Sequence, residues 1–445
     1  MELKELAGKK VALWGMGVEG RAVQDYLRKR LPALQPAIID NNPKIADAIH
    51  KDDADTLSQF EIIIKSPGIS PNTENVKEAQ RRGTQFISAT NLWFANERRG
   101  KIFGVTGTKG KSTTTSLLAY ILKGLGYNAA AAGNIGIPLI SHEAADDSIT
   151  ILEMSSFQST GFKGVLDGMI ITSLFPEHMD WHNGEENYFH DKMTPLHNMN
   201  DQPVFIPSNS VRVDKYTSFY KNRIVYNQPD SFHVRGSALY FEDKELLNLA
   251  DTNLAGPHNL ANICGILKLC ETLGIKAEDT LPFIKSYLPL PHRLQTIAQT
   301  DKLRCVDDSI ATSPYAALAS IASFPEEDNL AIIMGGYDRG ISWDEFGTLL
   351  KPEPNMHFFV MGLNRQKILD ALAPHKSIVK VTTCENMIEA TKQGFYYLAQ
   401  SGKGVLLLAP GSPSYDQFNS YAERGDKFKE ICTELAQALN KEDAA

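Results

Sequence analysis

The 445-residue chain is short of several things, and each shortage excludes a class of protein. It has five cysteines, Cys264, Cys270, Cys305, Cys384 and Cys432, with no C-x-x-C pair among them. That argues against a disulfide framework or a zinc ribbon, and scattered thiols fit a reducing compartment. Positive charge is not in excess: 45 Lys and Arg against 53 Asp and Glu give a formal net charge of -8. Without a basic stretch there is no electrostatic footprint for nucleic acid. No apolar run is long enough to span a bilayer, and M-E-L-K-E-L-A-G-K-K at the start lacks the apolar core of a signal peptide. No internal repeat or low-complexity tract stands out. A chain that is 42% hydrophobic and 22% charged is ordinary globular material. Its length suggests about two or three domains. A cytoplasmic protein is the expectation.

What is present begins with T-G-T-K-G-K-S-T at residues 106–113, after the apolar run 101–105 and before a helix-like run at 116–125. A strand feeding a glycine-rich turn feeding a helix holds nucleotide phosphates, because free N–H groups and the positive helix end face the anion. Lys111 can reach the β and γ oxygens, and Ser112 can ligate Mg²⁺. The pattern departs from the strict P-loop by one place, with Val105 where the first glycine belongs.

The chain around this motif alternates in the manner of α/β folds. Strand-like runs at 10–14, 37–40 and 61–65 surround G-M-G-V-E-G, a weak dinucleotide signal. The segment looks short for a full dinucleotide fold and better suited to a nucleotide-linked substrate, with Asp40 placed to accept from a ribose or base. Strands are expected at 148–153 and 168–172 in a larger parallel sheet, while 204–206, 223–226 and 238–241 read as a small accessory sheet. A helix is expected at 259–273. A last α/β unit has strands expected at 303–307, 330–334, 357–361, 377–381 and 404–408, then a helix at 421–439. The fold class is thus three α/β domains in a row: a Rossmann-like one at 1–98, a P-loop ATPase domain with a parallel sheet at 99–293, and a second Rossmann-like one at 294–445. The linkers near 96–100 and 288–294 are the hinge candidates.

Glu153 ends an apolar run and begins E-M-S-S-F-Q, where a strand-end carboxylate suits Mg²⁺. In P-E-H-M-D-W-H, His178 and His182 have a helical-turn spacing, but without H-E-x-x-H or a third ligand zinc is set aside. His178, framed by Glu177 and Asp180, is the candidate for a divalent ion; His182, His190 and His197 read as surface or structural histidines. Asn259 and Asn262 can hydrogen-bond adenine or ribose, or Asn259 can simply cap a helix. Arg293 and Asp308 can meet across an ATP cleft, or form a plain rim salt bridge.

The ordered series T-G-T-K-G-K-S-T, E-M-S-S-F-Q, P-E-H-M-D, H-N-x-x-N, P-H-R and D-S-x-A-T resembles the Mur ligase family over almost the whole chain. S-P-G-I at 66–69 and S-x-D-Q-F at 414–418 look like the glutamate-adding branch, and the diaminopimelate-selecting D-N-P-R is not found. The resemblance implies a monomeric ligase that uses ATP and Mg²⁺ to join glutamate to UDP-N-acetylmuramoyl-L-alanine. It implies ATP on Gly107, Thr108, Lys109, Gly110, Lys111, Ser112 and Thr113, gripped also by Asn259, Arg293 and Asp308. Metal falls to Ser112, Glu153, His178 and Lys192, the last carbamylated in the family. The UDP-linked substrate falls to Gly17, Asp40, Ser66, Gly68, Asn134 and Ser155, and glutamate to Arg339, Ser414 and Tyr421. Lys111, Glu153, His178 and Lys192 are the catalytic set. One departure concerns stereochemistry. D-glutamate ligases usually carry D-S-K-A-T-N, whereas this chain has D-S-I-A-T-S with Ile310 in place of the lysine. The D-S-I-x-T and G-G-Y-D-R-G patterns look similar to a sister group adding L-glutamate, so D-glutamate, taken first as the commoner branch, stands nearly level with L. The rival readings are a P-loop GTPase, on N-K-E-D at 440–443, a folylpolyglutamate-synthase-type ligase, and a silent UDP-sugar-binding regulator.

Overall fold

The run Val11–Trp14 is buried at every position, as expected of a parallel strand covered on both faces. It pairs with Ala37–Ile39 on one side and Ile62–Lys65 on the other, and Gln85–Ile87 completes a four-stranded parallel sheet. The computed structural model describes residues 1–135, 137–254, 256–324, 329–340 and 342–443. They form two compact units, Met1–Asn248 with Leu260–Tyr287, and Leu249–Asn259 with Leu288–Ala445.

The first unit also holds a six-stranded parallel sheet. Its spatial order is Arg223–Tyr226, Val204–Pro207, Gly168–Ile171, Lys101–Thr106, Ile149–Glu153 and Ala129–Gly133. This corrects one expectation: the strands near 204 and 223 join the main sheet, and only Ala238–Phe241 lies in a separate antiparallel sheet, between Phe232–Arg235 and Lys244–Asn248. The reason is burial, since all four residues of Val204–Pro207 are covered, a demand that an accessory hairpin would not meet. The edge strand Ala129–Gly133 escapes sequence reading because alanine favours helices.

Residues 96–100 do not form a slack linker. Asn96 Oδ1 accepts the Leu3 N–H at 2.9 Å, and its Nδ2 donates to the Leu92 carbonyl at 2.7 Å. Trp93 is fully buried, with its indole N–H on the His142 carbonyl at 2.9 Å. These bonds and the packing of Trp93 tie the start of the segment to its neighbours, while Arg98 and Arg99 are exposed.

In the second unit a six-stranded sheet runs Gln295–Gln299, Leu303–Asp307, Gly404–Leu408, Asn329–Gly335, Met356–Met361 and Lys380–Thr383; the first strand is antiparallel and the rest parallel. The strand expected at 377–381 starts later because a 3-10 turn occupies Ala373–His375. Leu303–Asp307, Gly404–Leu408 and Asn329–Gly335 are neighbours, so the turns after them share one carboxyl edge, the usual ligand edge of such sheets. Tyr421–Asp443 is one 23-residue helix that carries N-K-E-D on its last turn, away from any strand end. All five cysteines are free and buried, and no helix among the described residues is long and apolar enough to cross a membrane.

Candidate active site

The phosphate-binding motif folds as its chemistry requires. Lys101–Thr106 is the strand, and the helix Lys111–Gly124 begins earlier than expected, directly after Gly110. Gly107 (φ +145°) and Gly110 (φ +85°) adopt backbone conformations that side chains rarely take. A Cβ would lie 2.0 Å from Thr172 Oγ1 at Gly107 and 2.6 Å from Asn262 Nδ2 at Gly110. The loop is held from below: the Thr108 N–H donates to the Ser173 carbonyl at 2.8 Å, and Thr108 Oγ1 meets the Tyr188 hydroxyl at 2.9 Å. Lys111 Nζ folds back on the Thr108 carbonyl at 3.0 Å, and Lys109 pairs with Glu177 at 2.8 Å. Ser112 is buried at the helix start and Thr113 follows in the first turn.

Register then delivers the acid. Glu153 faces Val105 on one side and Gly133 on the other, so its carboxylate stands at the sheet edge beside the loop. Oε1 accepts from Asn134 Nδ2 at 3.0 Å; Oε2 is buried and has no hydrogen-bond partner among the described residues. An orphaned carboxylate oxygen at the strand end beside the phosphate loop fits Mg²⁺, which takes one or two carboxylates and keeps waters and phosphate oxygens for the rest. Among the described residues no group of three or more His, Cys, Asp and Glu is placed to hold a metal unaided. An ion there would depend on the nucleotide's oxygens.

Lys192 is 2% exposed, donates from Nζ to the Gly107 carbonyl at 3.0 Å and lies 5.1 Å from the centre of the Tyr188 ring. Burial drives its pKa far below the ordinary lysine range, with Lys111 and Lys109 adding to the effect against Glu177 and Glu153. His178 sits at φ +58°, ring to ring with Phe157, and is likewise pulled down, first by burial, against the opposing pull of Glu177. A neutral imidazole can ligate a metal. Glu177 is pushed up by burial but held below the usual range by Lys109, His178 and Lys111. The side chain of Asp180 lies outside the described residues. His182 is fully buried between Asp191 Oδ2 (2.6 Å) and Ser156 Oγ (3.0 Å), a structural histidine as expected.

The residues assigned to the UDP-linked substrate are partly occupied by the fold. Asp40 accepts the Met16 N–H at 2.6 Å and the Asn42 N–H at 2.8 Å, and lines a cavity of about 270 Å³ with Trp14, Asn41, Asp52 and Asn75. Ser66 Oγ donates to the Gly15 carbonyl at 2.6 Å, and Ser155 caps the short helix Ser156–Ser159. Gly17 and Gly68 have open space where a Cβ would be. Trp181, which sequence reasoning passed over, ties the Gly68 loop to the P-loop domain: its indole N–H donates to the Gly68 carbonyl at 2.8 Å, and its own carbonyl accepts from Ser70 Oγ at 2.7 Å. Half-buried Glu19, pushed up to about 6, and half-buried Lys65, pulled down to about 8, both mainly by desolvation, were also missed. Glu19 stands within G-M-G-V-E-G, where a titratable residue was the available signal.

Two further expectations need correction. Asn259 does not cap its helix, which starts at Pro257. Arg293 and Asp308 do not pair: Asp308 Oδ1 accepts the Leu294 N–H at 3.1 Å, Oδ2 accepts from the Ser320 hydroxyl, and no ion pair joins them among the described residues. Burial pushes Asp308 up to about 6. Arg339 is exposed, whereas Ser414 is buried; Tyr421 is 41% exposed and its carbonyl accepts from Ser309 Oγ at 2.7 Å. The buried guanidinium of this unit is Arg424, which sequence reasoning did not single out.

Comparison with known proteins agrees with this geometry. Residues 105–270 match the Mur ligase middle domain. The chain is 36% identical to a UDP-N-acetylmuramoyl-L-alanine--L-glutamate ligase of Xanthomonas axonopodis pv. citri, over 97% of this chain and 96% of that one. It is 32% identical to a protein of the same description from Salinispora tropica, over 98% and 100%. Among solved structures, UDP-N-acetylmuramate-alanine ligase MurC of Thermotoga maritima aligns over 97% of this chain and 99% of its own with a TM-score of 0.57 at 16% identity. MurF ligase of the same organism, in complex with ADP, aligns over 97% and 95% with a TM-score of 0.56 at 17% identity. The α/β architecture and the phosphate loop beside Glu153 therefore have a family: the chain is a ligase and belongs to the Mur ligases.

Proposed function

We propose that this ligase uses ATP to join glutamate to UDP-N-acetylmuramoyl-L-alanine in peptidoglycan precursor synthesis. The observation that carries the reading is Glu153, a buried carboxylate with one orphaned oxygen at the edge of the phosphate loop, with buried Lys192 anchored to the same loop. The L-alanyl carboxylate attacks the γ-phosphorus and ADP leaves; the glutamate amine then attacks the acyl phosphate carbon, phosphate departs, and the amine's proton is lost to solvent. Lys111 and the loop N–H groups stabilise charge on the transferring group. Mg²⁺, held by Glu153 and Ser112 with His178 at a second position, supplies charge neutralisation on the phosphates. Lys192 Nζ suits carbamylation: the neutral amine bonds to the carbon of CO2 and releases a proton, giving a carboxylate that serves the second position.

The relatives' names favour L-glutamate, which moves the balance from D, and Ile310 supports the shift because it removes a cation near the expected amino-acid pocket. In this reading residues 1–98 receive the UDP-linked substrate, with Gly17, Asp40, Ser66, Gly68, Asn134 and Ser155. Residues 99–293 take ATP, and 294–445 take glutamate with Arg339, Ser414 and Tyr421 and support the nucleotide through Asp308. The protein acts as a cytoplasmic monomer, in keeping with its five free thiols. The test supplies ATP, Mg²⁺ and UDP-N-acetylmuramoyl-L-alanine with D- or L-glutamate and measures phosphate. Release with the L enantiomer alone is the expected result; no release with either would end the proposal.

A further inference from the structure

In the first unit one short segment is gripped from two directions. The one-turn helix Met179–His182 is bounded by His178 and Asn183, each at φ +58°. That left-handed conformation is uncommon for residues other than glycine, and it persists where the surroundings impose it. His182 supplies one restraint, buried on Asp191 and Ser156. Trp181 supplies the others.

On one side Trp181 meets the loop that follows the strand Ile62–Lys65. Its indole N–H donates to the Gly68 carbonyl at 2.8 Å, and its own carbonyl accepts from Ser70 Oγ at 2.7 Å and from Asn72 Nδ2 at 3.4 Å. Lys65 Nζ stands 5.8 Å from the centre of its ring. Ser66 and Gly68, given above to the UDP-linked substrate, belong to this loop. On the other side the indole packs on Phe157 with centroids 4.6 Å apart, and Phe157 packs on His178 at 4.7 Å. Next to His178, Glu177 pairs with Lys109 of the phosphate loop at 2.8 Å. Direct contacts thus run from the Gly68 turn through Trp181 to the phosphate loop. A triphosphate on that loop would compete with Glu177 for Lys109, and a substrate that reseats the Gly68 turn would move Trp181. Each ligand acts on the same segment, from opposite ends.

We propose that Trp181 is a positioning residue that couples the two sites: seated on the Gly68–Ser70 turn, it sets residues 177–181 so that nucleotide and UDP-linked substrate each bind more tightly when the other is present. This rests on the ligase reading above and adds to it a coupling between two substrates. The coupling is reciprocal by thermodynamic necessity, so one factor describes both affinities. A ligase gains from it, because the phosphate loop takes its bound geometry most fully when the carboxylate that receives the phosphoryl group is in place.

The test is calorimetric titration of the full chain with Mg²⁺ and a non-hydrolysable ATP analogue, with and without saturating UDP-N-acetylmuramoyl-L-alanine, for the wild type, Trp181→Phe and Ser70→Ala. In the wild type the UDP-linked substrate should lower the analogue's Kd by about fivefold or more, and the analogue should lower the substrate's Kd by the same factor. Phenylalanine keeps a ring on Phe157 but loses the indole N–H. The factor should then fall to about one, while each Kd measured alone holds within about twofold. Ser70→Ala removes one donor to the Trp181 carbonyl and leaves the ring stack intact, so it should cut the factor to about half or less. It keeps the test decisive if the tryptophan variant unfolds. Undiminished coupling in a folded variant, an equal weakening of both separate affinities, or a wild type that binds both ligands without coupling overturns the assignment. A wild-type chain that binds neither ligand overturns the ligase reading itself.

Discussion

Lys192 Nζ and the Gly107 carbonyl oxygen stand 3.0 Å apart, which joins a fully buried lysine to the first residue of the phosphate loop. An ammonium there is desolvated and close to Lys111 and Lys109, so its pKa is driven well below the ordinary lysine value. An amine ready to take up CO2 gives the position a chemical use.

The same burial sets a dependence of stability on pH. The unfolded chain keeps the lysine proton up to the ordinary value of 10.5, whereas the folded chain releases it at lower pH. The unfolded state therefore binds more protons throughout that window, and stability rises with pH across it. In CO2-free buffer, Lys192→Met should remove this slope and raise Tm most at the acid end, while abolishing turnover. Thermal unfolding of both proteins across pH checks it, and an identical slope would count against a neutral buried lysine.

If a carbamate forms on Lys192, a small carboxylic acid should substitute for it. Lys192→Ala, nearly inactive alone, should regain part of its phosphate release in added acetate or formate, whereas Glu153→Ala should not. Equal rescue of both variants would point to a salt effect.

Lys111→Ala should cut phosphate release by at least about a hundredfold and leave binding of the UDP-linked substrate intact, because it removes charge stabilisation from phosphoryl transfer. Calorimetry beside the kinetic assay separates the two. Retained turnover would refute the phosphate-loop assignment.

Asp308 is raised by burial from 3.8 to about 6, so the folded chain holds its proton more tightly than the unfolded one. Stability therefore falls as pH rises from about 4 to about 6, and the full cost, about 3 kcal/mol, is present above that. Asp308→Asn should keep the acceptor for the Leu294 N–H, gain stability at neutral pH and flatten the acid-side slope, with a higher KM for ATP as the functional loss. Chemical denaturation at pH 4 and pH 8 measures the sign.

Trp93→Ala should destabilise the first unit by about 3–5 kcal/mol, combining a cavity with the lost bond to the His142 carbonyl. A near-neutral result in urea unfolding would show that this packing contributes little.

Much was legible because it is local. T-G-T-K-G-K-S-T needs only its own strand and helix to form the cradle, and an acidic residue closing an apolar run declares itself as the strand-end Glu153. The errors came from long-range placement. Val204–Pro207 reads as a stray strand until its partner Gly168–Ile171 is known. Arg424, buried and 115 residues beyond the Ser309 that it holds, carries no local signal at all.

By itself, the order of residues determined the alternation of strands and helices, the phosphate loop, and the set of acids, amides and lysines available to it. Side-chain type and spacing decide those without distant contacts. Only the tertiary structure decided which of them lost water: Lys192 buried on the Gly107 carbonyl, Glu153 with one oxygen unclaimed, Asp308 turned from Arg293 to Ser320, Arg424 buried on the Ser309 and Ser412 carbonyls. Desolvation depends on what packs around a group, and strand order, not sequence distance, chooses those neighbours.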